Sequence, residues 1–131
     1  MSPGRHIRSI GLALTAALFV GSCGGASPSP GSAPAGVIVT LVASGIEYEP
    51  ASISIPAGMP IVVEFDHRDA GVPHGLSLLA GPTLSEVIVA EDPVTGPVQQ
   101  RYGIAALVAG RYRFSCVVHP NMATDLVVGA N

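Results

Sequence analysis

The chain has 131 residues, a net charge of −3 at pH 7 and only 11% charged residues. All six basic residues are arginines, and two of them lie in the first eight positions, so no basic face is available and a nucleic-acid partner is excluded. Residues 37–131 suffice for one small domain and not for two, and they set four arginines against all nine acidic residues.

The chain opens on a short basic segment, residues 1–8, followed by the apolar run IGLALTAALFV at residues 10–20. A membrane-spanning helix needs about 20 apolar residues. A run half that length after a basic start reads as an export signal. It ends in Val20-Gly21-Ser22-Cys23, which resembles the bacterial lipobox, where the cysteine is lipidated and becomes the mature N-terminus. The competing reading is an ordinary signal peptide with a chance cysteine. Residues 24–36 (GGASPSPGSAPAG) contain nothing that burial could offset against the entropy of ordering, so they are expected to form a flexible tether. The expected organisation is therefore a lipoprotein signal over residues 1–22, an anchor at Cys23 with its tether to residue 36, and a domain over residues 37–131. Such a protein would be exported and held at the extracytoplasmic face of a bacterial membrane.

Within the domain, residues 37–43 (VIVTLVA) form a β-branched run closed by Ser44-Gly45. Tyr48-Glu49-Pro50 leads into Ser52-Ile53-Ser54-Ile55, which alternates polar and apolar with the period of a half-buried strand. Residues 56–60 are a turn bounded by prolines, residues 61–66 (IVVEFD) a strand, and residues 68–73 a loop. Residues 75–79 read as a short strand. Residues 87–90 and 99–104 are weaker candidates, separated by a turn-rich stretch at 92–97. In residues 111–116, Tyr112, Phe114 and Cys116 share one face and Arg111, Arg113 and Ser115 the other. Residues 125–128 make the last strand. Short strands at this spacing, without a helical period, predict an all-β antiparallel sandwich or barrel. Leu107-x-x-Gly110-x-Tyr112 resembles the tyrosine corner of Greek-key sandwiches.

With Cys23 lipidated, Cys116 is the one thiol of the exported domain, so no internal disulfide can form. It opens the stretch Cys116-Val117-Val118-His119-Pro120-Asn121-Met122, where a thiol, an imidazole and a thioether recur every third residue. Pro120 prevents His119 from extending a helix, and a tight loop can fold the three side chains around one point. His74, after Val72-Pro73, offers a second imidazole. Two histidines, a thiolate and a weak thioether are the donor set of blue-copper sites: the soft thiolate suits Cu(I) and the imidazoles suit Cu(II). Taken singly, Cys-x-x-His is a chance pattern, His74 a turn histidine and Met122 an adaptable core residue. It is their agreement with the exported, strand-rich context that points to a metal.

Over essentially all of residues 37–128 the chain resembles the cupredoxins of the plastocyanin and amicyanin type. The resemblance is carried by Tyr48-Glu49-Pro50 with Ile55-Pro56-Ala57-Gly58, by Asp69-Ala70-Gly71-Val72-Pro73-His74, and by Leu107-x-x-Gly110-x-Tyr112-x-Phe114-x-Cys116-x-x-His119-Pro120-x-Met122. The short step from His119 to Met122 is similar to amicyanin. The resemblance implies a Greek-key β-sandwich with one type 1 copper ion on His74, Cys116, His119 and Met122. It also implies that His119 reaches the surface through an apolar rim of Val72, Pro73, Val118, Pro120 and Ala123.

Two positions depart from the family. Asn usually follows the first ligand histidine and ties the ligand loops together, but here the residue is Gly75; where Gly often follows two residues after the methionine, this chain has Thr124. His67, in Asp66-His67-Arg68-Asp69, is expected to be an exposed loop histidine, and Met59 lies in a turn.

The function expected is one-electron transfer to redox proteins of the membrane or exported compartment, by a monomer on a lipid anchor. The alternative is a copper-binding protein for delivery, storage or resistance, which the absent Asn favours slightly. A Cys116–His119 nucleophile would lack an obvious third group and oxyanion hole, and the histidines are too few for a multicopper enzyme. No enzymatic activity is therefore expected. A purely adhesive module would leave the four candidate ligands unexplained.

Overall fold

In the computed structural model, which describes residues 35–129, every regular element is a strand. The readings on residues 1–34, including the signal, Cys23 and most of the tether, lie outside the described residues. One sheet has the order β2-β1-β4-β9 and is built from β1 (Val37–Ser44), β2 (Glu47–Glu49), β4 (Ile61–His67) and β9 (Val98–Ile104). The other has the order β3-β11-β10-β6-β7 and is built from β3 (Ser52–Pro56), β6 (Ser77–Ala80), β7 (Glu86–Ala90), β10 (Gly110–Ser115) and β11 (Ala123–Gly129). A small ladder joins β5 (Pro73–His74) to β8 (Val94–Thr95). This is the β-sandwich that the strand spacing predicts.

The sheets are mixed rather than purely antiparallel. β1 runs parallel to β4, with Val39 opposite Val63, and β3 runs parallel to β11, with Ile53 opposite Leu126. The cause is the route of the chain. It leaves the first sheet after β2, adds β3 to the second, and returns through the turn at residues 57–60 to lay β4 beside β1.

Alternation along the strands builds the core. β4 turns Ile61, Val63, Phe65 and His67 inward, while β10 and β11 contribute Phe114 and Leu126, both fully buried. Each such apolar side chain removed from water is worth about 1.5–3 kcal/mol. The Tyr112 hydroxyl donates to the Val108 carbonyl at 3.0 Å, fastening the entry of β10 as a tyrosine corner does.

His67 corrects the sequence reading. It is 1% exposed, because β4 extends one residue beyond Asp66 and the inward period of Ile61, Val63 and Phe65 carries His67 with it. Extending that alternation by one step would have found it.

Candidate metal centre

Strand β10 delivers Cys116. Tyr112 and Phe114 point into the sandwich, and Cys116, next on the same face, is 1% exposed just past the strand's last residue. The chain then closes a loop. The Met122 N–H donates to the His119 carbonyl at 2.9 Å, and the Cys116 N–H donates to the Met122 carbonyl at 3.2 Å. Cys116, His119 and Met122 are thereby held on one loop whose two ends are paired as β10 and β11. Met122 is buried at 1% exposure.

His74 arrives from β5, opposite Val94, and is fully buried. Its Nδ1 lies 3.1 Å from Nδ1 of His119, and each of these nitrogens lies 3.9 Å from Sγ of Cys116. One ligand atom from each of the three residues falls within 4.8 Å of the others. A metal bonded to imidazole and thiolate at about 2.0–2.3 Å would space three such donors by roughly 3–4 Å. The triangle therefore matches one ion. With Met122 on the same loop, the arrangement fits one type 1 copper.

Hydrogen bonds determine which atom of His74 faces that point. Its Nε2 lies 2.8 Å from Oδ2 of Asp69. An ionised carboxylate only accepts, so the ring hydrogen sits on Nε2 and the Nδ1 lone pair is left toward Cys116. Asp69 also accepts the N–H of Gly45 at 2.7 Å and of Ile46 at 3.1 Å. The His74 bond, followed by those two N–H groups, lowers the Asp69 carboxyl from 3.8 to about 2.

The position of the usual Asn has its own explanation. A Cβ added to Gly75 would lie 2.8 Å from Cγ2 of Val117, so the valine occupies the space a side chain would need. The Gly75 backbone is held from both sides. Its N–H donates to Sγ of Cys116 at 3.4 Å, and its carbonyl accepts the Tyr48 hydroxyl at 2.5 Å. Burial pushes the Tyr48 phenol far above its ordinary range, and the neighbouring Cys116 adds to the shift. Thr124, the second departure, is fully buried and donates its hydroxyl to the Pro50 carbonyl at 2.8 Å.

His67 packs 4.5 Å from His74, ring centre to ring centre. Its Nδ1 accepts the Asp69 N–H at 3.3 Å, and its Nε2 donates to the Val72 carbonyl at 2.8 Å. At the surface, Pro73, Val118 and Pro120 are exposed, and Val72, Ala123 and His119 half-buried. Val117, next to Val118, is also exposed, at 51%. Along the chain, Tyr48 and Asp69 carry only the family resemblance. Their polar ends reach the site through tertiary contacts, Tyr48 to the Gly75 carbonyl and Asp69 to His74, which spacing along the chain does not reveal.

A family model described as a cupredoxin-like domain matches residues 11–128. Among curated proteins no match is found. Solved structures are similar in fold. Auracyanin A of Chloroflexus aurantiacus, described as a blue copper protein, is 20% identical with a TM-score of 0.61, covering 72% of this chain and 100% of its own. An auracyanin of Roseiflexus castenholzii is 16% identical with a TM-score of 0.61, covering 73% and 99%. A mutant of amicyanin in its reduced Cu(I) form is 22% identical with a TM-score of 0.52, covering 74% and 86%.

Proposed function

The chain belongs to the cupredoxin-like domain family, and on that premise we propose that it is a type 1 copper protein carrying single electrons at the outer face of a bacterial membrane or in the periplasm. The observation that carries the proposal is the convergence of His74 Nδ1, His119 Nδ1 and Cys116 Sγ within 4.8 Å. Those three residues would hold the ion, with Met122 as a weaker fourth donor. Copper supplies a one-electron couple between Cu(I) and Cu(II). The protein supplies a site already assembled for both states. Asp69 orients His74, the Gly75 N–H donates to the thiolate sulfur, and the closed loop keeps Cys116 and His119 in register. Preformed donors limit rearrangement, and small rearrangement favours quick exchange. His119, half-buried within an apolar rim, is the port to a redox partner.

Support for the location comes from the leader-like residues 1–22, Cys23 and the tether. Copper delivery is the second reading, and Gly75 is the residue that favours it. Against it stands the packing of Val117 over Gly75, which fills the position of the absent Asn. The purified protein should bind one Cu(II) and turn intensely blue through thiolate-to-copper charge transfer, and Cys116→Ser should lose the colour. A colourless wild-type protein with stoichiometric Cu(II) would defeat the blue-copper assignment. Retention of copper through many redox cycles separates electron carrier from copper carrier; ready surrender of Cu(I) to a chelator would favour delivery.

A further inference from the structure

His74 is buried completely, and a buried imidazole acting as a metal donor must be told which nitrogen to present. Here the instruction comes from an acid. Asp69 Oδ2 stands 2.8 Å from Nε2, on the far side of the ring from the donor triangle. The carboxylate is itself anchored, since two further N–H groups, from Gly45 and Ile46 in the turn after β1, converge on its oxygens. Its backbone is anchored as well. His67 accepts the Asp69 N–H and donates to the Val72 carbonyl, spanning the loop that leads to His74. Gly96 leaves room for this arrangement: a Cβ there would lie 2.6 Å from both the Asp69 carbonyl oxygen and the His67 ring.

From this geometry we infer that Asp69 is a positioning residue for the copper site, one that fixes the hydrogen on Nε2 of His74 and strengthens Nδ1 as a donor, favouring oxidised over reduced copper. The physical reason is charge. A ring that gives electron density to a metal becomes partly positive, and a carboxylate hydrogen-bonded to its other nitrogen stabilises that positive character. Cu(II) withdraws more density than Cu(I), so the stabilisation is larger for the oxidised state. A neutral amide in the same place would fill the space without the charge. The inference rests on the copper reading for its redox consequence, whereas the Asp69–His74 bond belongs to the metal-free chain.

The test compares wild-type protein and Asp69→Asn, each loaded with copper. Cu(II) affinity should fall roughly 10- to 100-fold, the scale on which partners of metal-bound histidines act, and Cu(I) affinity should fall less. Each tenfold difference between those two losses raises the reduction potential by about 59 mV. A merely structural role would weaken both states alike and leave the potential unmoved. A blue Asp69→Asn protein with the wild-type potential would overturn the inference and leave the copper reading intact. Should the variant fail to fold, nitrogen NMR of the wild-type metal-free protein decides the matter. His74 should show hydrogen on Nε2, exchanging with solvent more slowly than the ring hydrogen of His119. Equal exchange, or hydrogen on Nδ1, would overturn it. A wild-type protein that binds no copper would defeat the copper reading alone, because the NMR result stands apart from metal.

Discussion

Val117 fills the space beside Gly75: a Cβ built on the glycine would come within 2.8 Å of the valine's Cγ2. The two residues belong to different ligand-bearing segments, one directly after His74 and the other directly after Cys116. Their contact is apolar, in a position where the family usually carries a polar brace.

Gly75→Ala should therefore destabilise the domain by about 1–3 kcal/mol through overpacking and alter the charge-transfer band. Adding Val117→Ala should restore much of the loss. A double-mutant cycle in denaturant unfolding measures the coupling. Additive effects would show that the contact does not hold the two segments.

Met122 and His74 should behave differently on truncation. Met122→Leu should keep copper and colour while raising the potential, because a weak donor to Cu(II) is lost. His74→Ala should cost much of the affinity, since a strong donor disappears from the plane. Competition titrations and voltammetry give both quantities. Equal losses of affinity would contradict a trigonal site with an axial fourth donor.

In the copper-free protein Asp69 gives stability a definite dependence on acid. Its carboxyl lies at about 2 in the folded chain against 3.8 ordinarily, first through His74 and then through the N–H groups of Gly45 and Ile46. The folded state thus prefers the ionised form. Its contribution is full above about pH 4 and is withdrawn as pH falls through 3.8 toward about 2. Unfolding curves across that window should be flatter for Asp69→Asn than for wild type. Identical slopes would remove Asp69 as the source.

Gly96→Ala should be costly without any demand for an unusual backbone angle. The new methyl would meet the Asp69 carbonyl oxygen and the His67 ring at 2.6 Å. A loss of about 1–3 kcal/mol is expected, together with a changed copper spectrum, because His67 and Asp69 would move as a unit. Gly103→Ala is the control, since a Cβ there meets nothing within 4 Å. If both variants unfold alike, the packing of His67 against Gly96 has no special weight.

Cys23→Ala should release the protein from the membrane fraction while leaving its copper binding unchanged. Intact mass of the wild type should show a lipid-modified N-terminus at position 23. A soluble mature protein beginning elsewhere would refute the anchor.

Much of the site could be read along the chain because its ligands are local. Cys116, His119 and Met122 share one loop, and strand alternation orients Cys116 without reference to any other segment. The strands with clear alternation, such as residues 61–66 and 111–116, were equally legible. β2 and β8, of three and two residues, carry too little pattern to show a period. The parallel pairs β1/β4 and β3/β11 depend on where the chain crosses between sheets, which local pattern does not encode. The same limit hid the partners of His74. Asp69 is only five residues away, but its grip depends on two N–H groups in the turn after β1.

The place of β11 decides when the site can exist. It follows every other described strand in sequence and yet lies between β3 and β10. Until residues 123–129 dock, β3 has no neighbour in its sheet and the loop carrying Cys116 and His119 is tied at one end only. The pairing with β3 is distant along the chain, whereas β10 and β11 form a local hairpin around that loop. The donor triangle stands in the metal-free chain, unlike a zinc finger, which its ion folds around itself. The thiol and the two imidazoles sit on segments that only the paired strands bring together.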